Sequence, residues 1–280
     1  MPARTKATSN GIILDPAQFA RVATLDRPAP DPALEAWVEH YWLLRWQLPS
    51  GMTYRSSTVP VSSCNLTVEH GGCRRHGAAT GGVFVTGVVS RRRFDVELTG
   101  SGGVVGVKFR PGGFTALTGL DAAALRDRVV PAASLLPSAE GLADCRPDQA
   151  DVVARLDRYL LGLPARRDDD FATLRRAIEI LESAEPAITA AEFADQCGLG
   201  LRSLQRLCRR YVGVGPQWLI ARARVHAAIE RLHDGDDAPL AELATDLGWF
   251  DQAHMGRDFA ALVGEPPGAY RDRQRAIERS

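Results

Sequence analysis

EFADQCGL, at residues 192–199, aligns with ELATDLGW at residues 242–249, at an offset of 50 positions. Beyond the turn the offset becomes 51, so that Gly213 matches Gly264 and Pro216 matches Pro267. One additional residue has therefore entered the second turn. An internal repeat of this length indicates two copies of one supersecondary unit.

Each copy has the pattern of a helix-turn-helix unit. A small residue, Ala194 or Ala244, lies inside the first helix, where the second helix must approach closely. A glycine, Gly198 or Gly248, can adopt the left-handed conformation after that helix. A long helix over residues 216–233 is predicted to join the units, with four inward-facing positions at Leu219, Ala223, Ala227 or Ala228, and Leu232.

The stretch over residues 188–271 resembles the DNA-binding domain of the AraC/XylS family of transcription regulators. The matching segments are CGLGLRSLQRLCRRYVGVGP at residues 197–216, residues 224–232, and LGWFDQAHMGRDFAALVGEPPGAYR at residues 247–271. Two positions depart from the family pattern: Cys208 stands where phenylalanine is usual, and Gly256 where a polar residue is frequent. The resemblance implies a sequence-specific regulator whose two units read adjacent major-groove segments of double-stranded DNA.

The second helix of each unit is the predicted reading helix, because its amino-terminal half enters the major groove. In the first unit the resemblance implies DNA contacts from Arg202, Gln205 and Arg206, and Ser203 belongs to the same candidate set. Arg209 and Arg210 lie further along the helix, better placed for phosphates or for solvent. In the second unit the corresponding set is Asp251, Gln252, His254, Gly256 and Arg257. Arginine can bind a guanine edge with two hydrogen bonds, and glutamine an adenine edge. We therefore expect the first unit to carry most of the specificity.

Two observations weigh against this interpretation. Exposed arginines on a helix are most often a solvated face, and acidic residues are as numerous as arginines from residue 171 onward. We therefore expect modest non-specific affinity that falls readily as salt rises. A protein that bends DNA without sequence preference is a further alternative.

The amino-terminal region predicts a different architecture. Residues 53–109 contain short runs rich in Val, Thr and Phe, broken by Gly and Ser, which favours a small β-barrel or sandwich. Residues 30–46 have a helical spacing that ends in a first strand. VEHYWLLRW at residues 38–46, STVPVSSCNLTVE at 57–69 and GVKFRPGGFTALTGLDAAALRDRVVP at 106–131 resemble the cupin-like domain found ahead of many such DNA-binding domains.

The predicted fold class is therefore α+β, with a small cupin-like β-barrel followed by an all-α double helix-turn-helix domain. Helices are predicted at residues 114–120, 122–128 and 148–161, and the charged run RRDDDF at residues 166–171 predicts a domain boundary and a helix start. The predicted divisions are a β-rich domain for sensing or dimerisation at residues 1–147, a helical connector at 148–167, and the DNA-binding domain at 168–280.

The amino-acid composition limits the kinds of DNA site, location and cysteine chemistry that the chain can have. The chain has 280 residues, 45% of them hydrophobic, with 34 basic and 34 acidic side chains, so any DNA site must be a local basic patch. Without an apolar run near twenty residues or a secretory signal, we expect a cytoplasmic protein with no membrane contact. Five scattered cysteines predict reduced thiols.

Several smaller groups have alternative interpretations. His70, Cys73 and His76 could hold a metal, although a Gly-rich hairpin loop explains them better, and no cofactor is predicted. RRRF at residues 91–94 and FRPGG at 109–113 are either anion sites or strand-edge charges.

Two groups of apolar residues also have alternative interpretations. The aromatic residues Trp37, Tyr41, Trp42 and Trp46 are predicted to lie in the core rather than in a ligand cage. The stripe Leu156, Tyr159, Leu160 and Leu163 could pack on its own chain or on a second copy.

The predicted function is DNA-binding regulation without enzymatic activity, modulated through the amino-terminal domain. RNA polymerase, a small-molecule effector and a second copy of the chain are the further candidate partners. The rival is a metal-dependent cupin enzyme with an appended DNA-binding domain.

Overall fold

A computed structural model of the chain describes residues 13–75, 78, 81–163 and 169–278. The amino-terminal part is built on an antiparallel sheet, and the carboxy-terminal part is helical. The predicted mixed class is confirmed at this level.

Within the described residues, the sheet contains seven strands in the order β1-β2-β6-β4-β5-β7, with β3 pairing to β6. The strands are β1 Ala23–Asp26, β2 Val38–Gln47, β3 Thr53–Thr58, β4 Asn65–Arg75, β5 Gly82–Thr86, β6 Phe94–Phe109 and β7 Val129–Pro131. The 16-residue strand β6 organises the sheet, because its first half pairs with β3, its second half with β2, and most of its length with β4. A short helix, α1 (Pro16–Val22), precedes β1.

The helix predicted within residues 30–46 is wrong, whereas the strand predicted at the end of this stretch is confirmed as β2. Only Pro32–Leu34 forms a single 3₁₀ turn, and Val38–Gln47 is a strand. The register shifts between Val38 and His40, so the buried positions Val38 and Tyr41 are three residues apart, and both Leu43 and Leu44 are buried. Because of the β-bulge and the burial of both faces, this strand lacks the alternation of buried and exposed residues by which a strand is usually recognised in a sequence.

Helical segments cover one side of the sheet. They are α2 (Gly113–Thr118), α3 (Val152–Leu161) and 3₁₀ turns at Ala122–Leu125, Ala132–Ser134 and Ala139–Leu142. Val152, Leu156 and Leu160 of α3 are buried in the same core as Tyr41 and Val107. The stripe on α3 thus packs within its own chain.

The repeat predicted from the sequence is confirmed as two helix pairs joined by one long helix. The helices are α4 (Asp169–Ser183), α5 (Ala190–Gln196), α6 (Leu201–Val212), α7 (Pro216–His233), α8 (Leu240–Asp246), α9 (Gln252–Val263) and α10 (Pro267–Glu278). Each unit has its own core, and α7 contributes to both. The predicted boundary falls partly on residues 164–168, which lie outside the described residues.

The small and flexible residues of the repeat occupy the expected positions. Ala194 and Ala244 are fully buried where α5 crosses α6 and α8 crosses α9. Gly198 and Gly248 both have positive φ angles, of 65° and 82°, and permit the sharp turn between the helices. In α7, Leu219, Ala228 and Leu232 are buried as predicted, whereas Ala223 is only partly buried.

The five cysteines are free thiols, and Cys208 is buried in the core of the first unit. Tyr41 and Trp46 are core residues as predicted, but Trp42 lines a cavity within the sheet domain. Among the described residues, no helix is both long enough and apolar enough to cross a membrane.

Candidate nucleic-acid interface

The first unit is fixed by local capping interactions. Thr189 accepts a hydrogen bond from the backbone N–H of Glu192, and the Glu192 carboxylate accepts one from the backbone N–H of Thr189, which defines the start of α5. Gly200 then caps α6. The angle between the two helices, and with it the direction of α6, is set by this short turn.

The outer face of α6 carries basic and polar side chains one helical turn apart. Arg202, Arg206 and Arg209 are exposed, while Ser203 and Gln205 are partly buried at the margin of this face. Within the described part of the chain, the side chains of Arg202, Gln205 and Arg206 form no hydrogen bond or ion pair. These groups are therefore available to a ligand without first losing an internal partner. The opposite face of the helix lies in the core through Leu204, Leu207, Cys208, Tyr211 and Val212.

Arg210 is in a different position. Its guanidinium lies 3.8 Å from the Asp170 carboxylate of α4 and 5.3 Å from the centre of the Tyr211 ring. A phosphate contact by Arg210 would compete with these interactions.

The second reading helix, α9, offers fewer polar groups. Asp251 caps it by accepting a hydrogen bond from the backbone N–H of His254, at 2.6 Å. The His254 ring lies 3.5 Å from the Asp258 carboxylate, which also accepts a hydrogen bond from Trp249 Nε1. The exposed positions that remain are Gln252, Ala253 and Arg257. A side chain at Gly256 would meet nothing within 4 Å, so this part of the helix surface is open.

Residues 193–273 match the family described as "Helix-turn-helix domain". Over 83 residues the chain is 31% identical to a protein of Streptomyces lividans described as an AraC-like transcription regulator. The carboxy-terminal region is an AraC-type helix-turn-helix domain. The match covers 30% of this chain and 27% of the Streptomyces protein. Residues 26–131, ahead of the AraC-type domain, match the family described as "Domain of unknown function (DUF6597)".

Three solved structures are similar to parts of the chain. The DNA-binding domain of AdpA in complex with a target DNA is 23% identical, covers 41% of this chain and 99% of its own, and has a TM-score of 0.32. The carboxy-terminal domain of AraT from Geobacillus stearothermophilus is 22% identical, covers 36% and 84%, and has a TM-score of 0.33. Apo ToxT from Vibrio cholerae is 12% identical over 83% of this chain and 97% of its own, with a TM-score of 0.41. All three scores lie below 0.5, so these likenesses establish no common fold for the whole chain.

Charge within the AraC-type domain is unevenly distributed. Outside the reading helices, several arginines form ion pairs: Arg231 with Asp246 at 3.0 Å, Arg273 with Glu265 at 2.7 Å, and Arg275 with Asp237. The unpaired guanidinium groups of α6 therefore make a local basic patch in a domain whose total charge is balanced. Such a patch is the electrostatic feature that DNA binding requires.

Two features of the AraC-type domain are absent from the sequence predictions. Phe250, immediately before the cap of α9, is 91% exposed. Arg222 and His226 of α7 are buried, because α7 packs against the sheet domain as well as between the two units. The charge of Arg222 and its separation by four residues from His226 are visible in the sequence, but only the three-dimensional contact with the sheet shows that they are buried.

The residues considered for a metal site have other partners. His70 Nε2 lies 2.8 Å from the backbone carbonyl of Cys145, and Cys73 is buried near the Glu69 carboxylate. His76 lies outside the described residues. Across the ranges that the structure describes, no group of three or more His, Cys, Asp or Glu side chains is arranged to hold a metal ion.

The arginine-rich run at residues 91–94 and the turn at 109–113 have structural contacts. Arg93 donates to the backbone carbonyl of Val263 at 3.4 Å, and Gly112 begins α2 with a φ of +79°. The Gly112 backbone packs against Leu174 and Tyr211 of the helical domain. Both segments therefore lie at the contact between the sheet and the helices.

Proposed function

We propose that the chain is a sequence-specific DNA-binding transcription regulator in which α6 and α9 read adjacent major-groove segments on one face of the duplex. The observation that carries this proposal is the exposed face of α6, where Arg202, Gln205 and Arg206 have no side-chain partner among the described residues. Two units on one continuous helix suit half-sites about 10 to 10.5 bp apart. One chain would then cover a non-palindromic site.

The deciding experiment is selection of the full chain against a randomised duplex, repeated with Arg206→Ala. We expect a bipartite motif from the natural protein. Since a two-hydrogen-bond contact to a base contributes about 1 to 3 kcal/mol, Arg206→Ala should lose roughly tenfold to a hundredfold in affinity and lose sequence preference in one half only.

Arg175→Ala is the matched control for this experiment. Arg175 is also an exposed helical arginine, and it lies 4.0 Å from Glu179 on α4. Its replacement removes the same charge without touching the reading face, so the selected motif should not change. Equal effects of the two variants would show that charge alone is responsible and would contradict the proposal.

We propose that the amino-terminal domain is a small cupin-like barrel that senses a ligand. In support, the sheet surrounds a cavity of about 220 Å³ lined mainly by apolar side chains from several strands. Its polar lining includes His40 and Lys108, and the ion pair of Arg75 with Glu69. A mostly apolar pocket with a few convergent polar groups is the usual form of a small-molecule site.

The cavity wall also carries contacts to the DNA-binding domain. Arg222 of α7 donates to the carbonyl of Pro60, at 2.6 Å, and Pro60 itself lines the cavity. Trp218 donates to the carbonyl of Ser90, at 2.9 Å, beside the lining residue Val89. A ligand that moved these loops would therefore act directly on the helix that joins the two units.

These contacts hold the reading helices in one arrangement while leaving the outer face of α6 uncovered. We therefore expect the combined Trp218→Phe and Arg222→Met variant to bind the selected duplex roughly fivefold to a hundredfold more weakly, because the two lost hydrogen bonds contribute about 0.5 to 1.5 kcal/mol each to the pre-organised state. Affinity would be measured by fluorescence anisotropy, with Arg175→Ala as the control. Tighter binding by the combined variant would show that the contacts are inhibitory.

A further inference from the structure

Phe250 is the additional residue in the second turn. Gly198 and Gly248, which end the first helix of each unit, are separated by 50 positions, whereas the helix caps Gly200 and Asp251 are separated by 51. Leu199 and Trp249 follow the two glycines at the same offset of 50. Phe250 therefore has no counterpart in the first unit.

The turn that carries Phe250 is fixed by contacts of the residues immediately before and after it. Trp249 is buried, at 3% exposure, and its indole N–H donates to the Asp258 carboxylate at 2.9 Å. On the other side Asp251 caps α9. A Cβ on Gly248 would lie 2.4 Å from the Cα of Ala187, so the turn is packed closely against the preceding segment. The backbone of Phe250 is consequently anchored, although its side chain is 91% exposed.

An exposed phenylalanine contributes nothing to the core, and the unfavourable hydration of its ring is removed only when a partner covers it. The position of Phe250 indicates that this partner is DNA. The residue lies directly before the amino terminus of α9, which is the part of a reading helix that meets base edges. The following residues Gln252 and Ala253 are exposed as well, so the apolar side chain continues the same surface.

We propose that Phe250 packs against the methyl group of a thymine at the edge of the second half-site, and so determines part of its sequence preference. Apolar side chains recognise thymine by this methyl group, which cytosine and uracil lack. Alanine at position 253 and glycine at position 256 leave α9 with few hydrogen-bonding side chains on its reading face, so an apolar contact accounts for recognition that polar groups there cannot supply. This inference rests on the proposed function of the two reading helices.

The test combines a change in the protein with a change in the DNA. In the motif selected by the natural protein, each thymine of the second half-site is replaced singly by deoxyuridine, which removes only the methyl group. We expect one such replacement to weaken binding by the natural protein about fourfold, the factor that corresponds to burial of one methyl group. Phe250→Ala should bind the thymine duplex roughly tenfold more weakly, and should bind the thymine and uracil duplexes equally.

Two controls isolate the contact. Met52→Ala replaces another exposed apolar side chain, 48% exposed in the sheet domain, and should keep the fourfold difference between the two duplexes. The melting temperature of Phe250→Ala should equal that of the natural protein, because the removed ring is outside the core.

Each result is decisive. A thymine preference that persists in Phe250→Ala, its absence from the natural protein, or a second half-site without thymine would overturn the assignment of Phe250 while leaving the regulator function intact. Failure of the natural protein to select any motif would overturn the proposed function, and this inference with it. Unchanged DNA binding by Phe250→Ala would assign the exposed ring to a protein partner instead.

Discussion

Replacement of Arg75 by methionine is expected to lower the free energy of unfolding of the sheet domain by about 3 to 5 kcal/mol, the cost of leaving a buried charge without its partner. The Arg75 and Glu69 side chains are 3% and 2% exposed, and their charged groups are 2.6 Å apart. Arg75 also donates to Thr86 at 2.8 Å and to Thr67 at 3.3 Å. Among the described residues, Arg75→Met would leave the buried Glu69 carboxylate with only the hydroxyl of Thr67 and the distant thiol of Cys73 as donors.

The neighbouring residue provides a matched control. Arg74 also pairs with a glutamate, Glu97, but its side chain is 75% exposed. An exposed ion pair contributes about 1 kcal/mol or less, so Arg74→Met should barely change the urea unfolding curve.

The combined variant Glu69→Leu with Arg75→Met should recover most of the stability, because two apolar groups of similar size can replace a buried pair. Recovery would also show that the pair is dispensable for folding, which fits a function in the cavity that both residues line. If the single and combined variants were equally unstable, the loss would reflect packing rather than the unpaired charge.

The carboxy-terminal domain could be predicted in detail because its constraints are local. The buried alanines and the turn glycines each fall within one unit, and the repeat displays both of these features twice. Local signals also located the exposed face of α6. Phe250 was missed because an exposed aromatic next to a buried one, Trp249, has no sequence pattern that distinguishes the two.

The sheet domain was less predictable because its structure depends on pairing between distant segments. Val38–Gln47 has helical spacing in the sequence, and only its register on β6 reveals the bulge that produces this spacing. The contact between the domains also joins segments that are distant in the sequence, so it could not be predicted either. Arg222 and Pro60 are 162 residues apart in the chain, and no periodicity on α7 indicates that the arginine is buried.

Acidification is also expected to have a large effect on stability, because two histidines, His40 in the cavity lining and His226 on α7, lie in environments that disfavour their charge. Burial, the neighbouring Lys108, and the more weakly acting Arg27 and Arg110 together lower the pKa of His40 to about 4, against the opposing effect of Glu39. Burial, Arg222 and Lys108 hold the pKa of His226 well below its ordinary value, and its Nε2 has no hydrogen-bond partner among the described residues.

The direction in which stability changes with pH follows from proton linkage. A histidine whose pKa is lowered on folding binds protons more readily in the unfolded chain, so its contribution to stability is complete above pH 6.5 and is lost as the pH falls towards the folded value. For His40, a shift from 6.5 to about 4 corresponds to a loss of about 2 kcal/mol between pH 7 and pH 5. Glu182 acts in the opposite direction, since burial raises the pKa of its carboxyl group.

The measurement is the free energy of unfolding from pH 7 to pH 5, for the natural protein and for His40→Gln and His226→Gln. Each variant should flatten the decline, because glutamine keeps a polar side chain without a proton to bind in this range. Lys108 does not contribute to the decline in stability between pH 7 and pH 5, since its pKa, lowered to about 8 by burial, confines its effect to more alkaline solution.

A decline as steep in both variants as in the natural protein would place the acid sensitivity elsewhere. A decline flattened by His226→Gln, together with DNA affinity that falls in parallel in the natural protein, would show that the contact between α7 and the sheet couples the two domains.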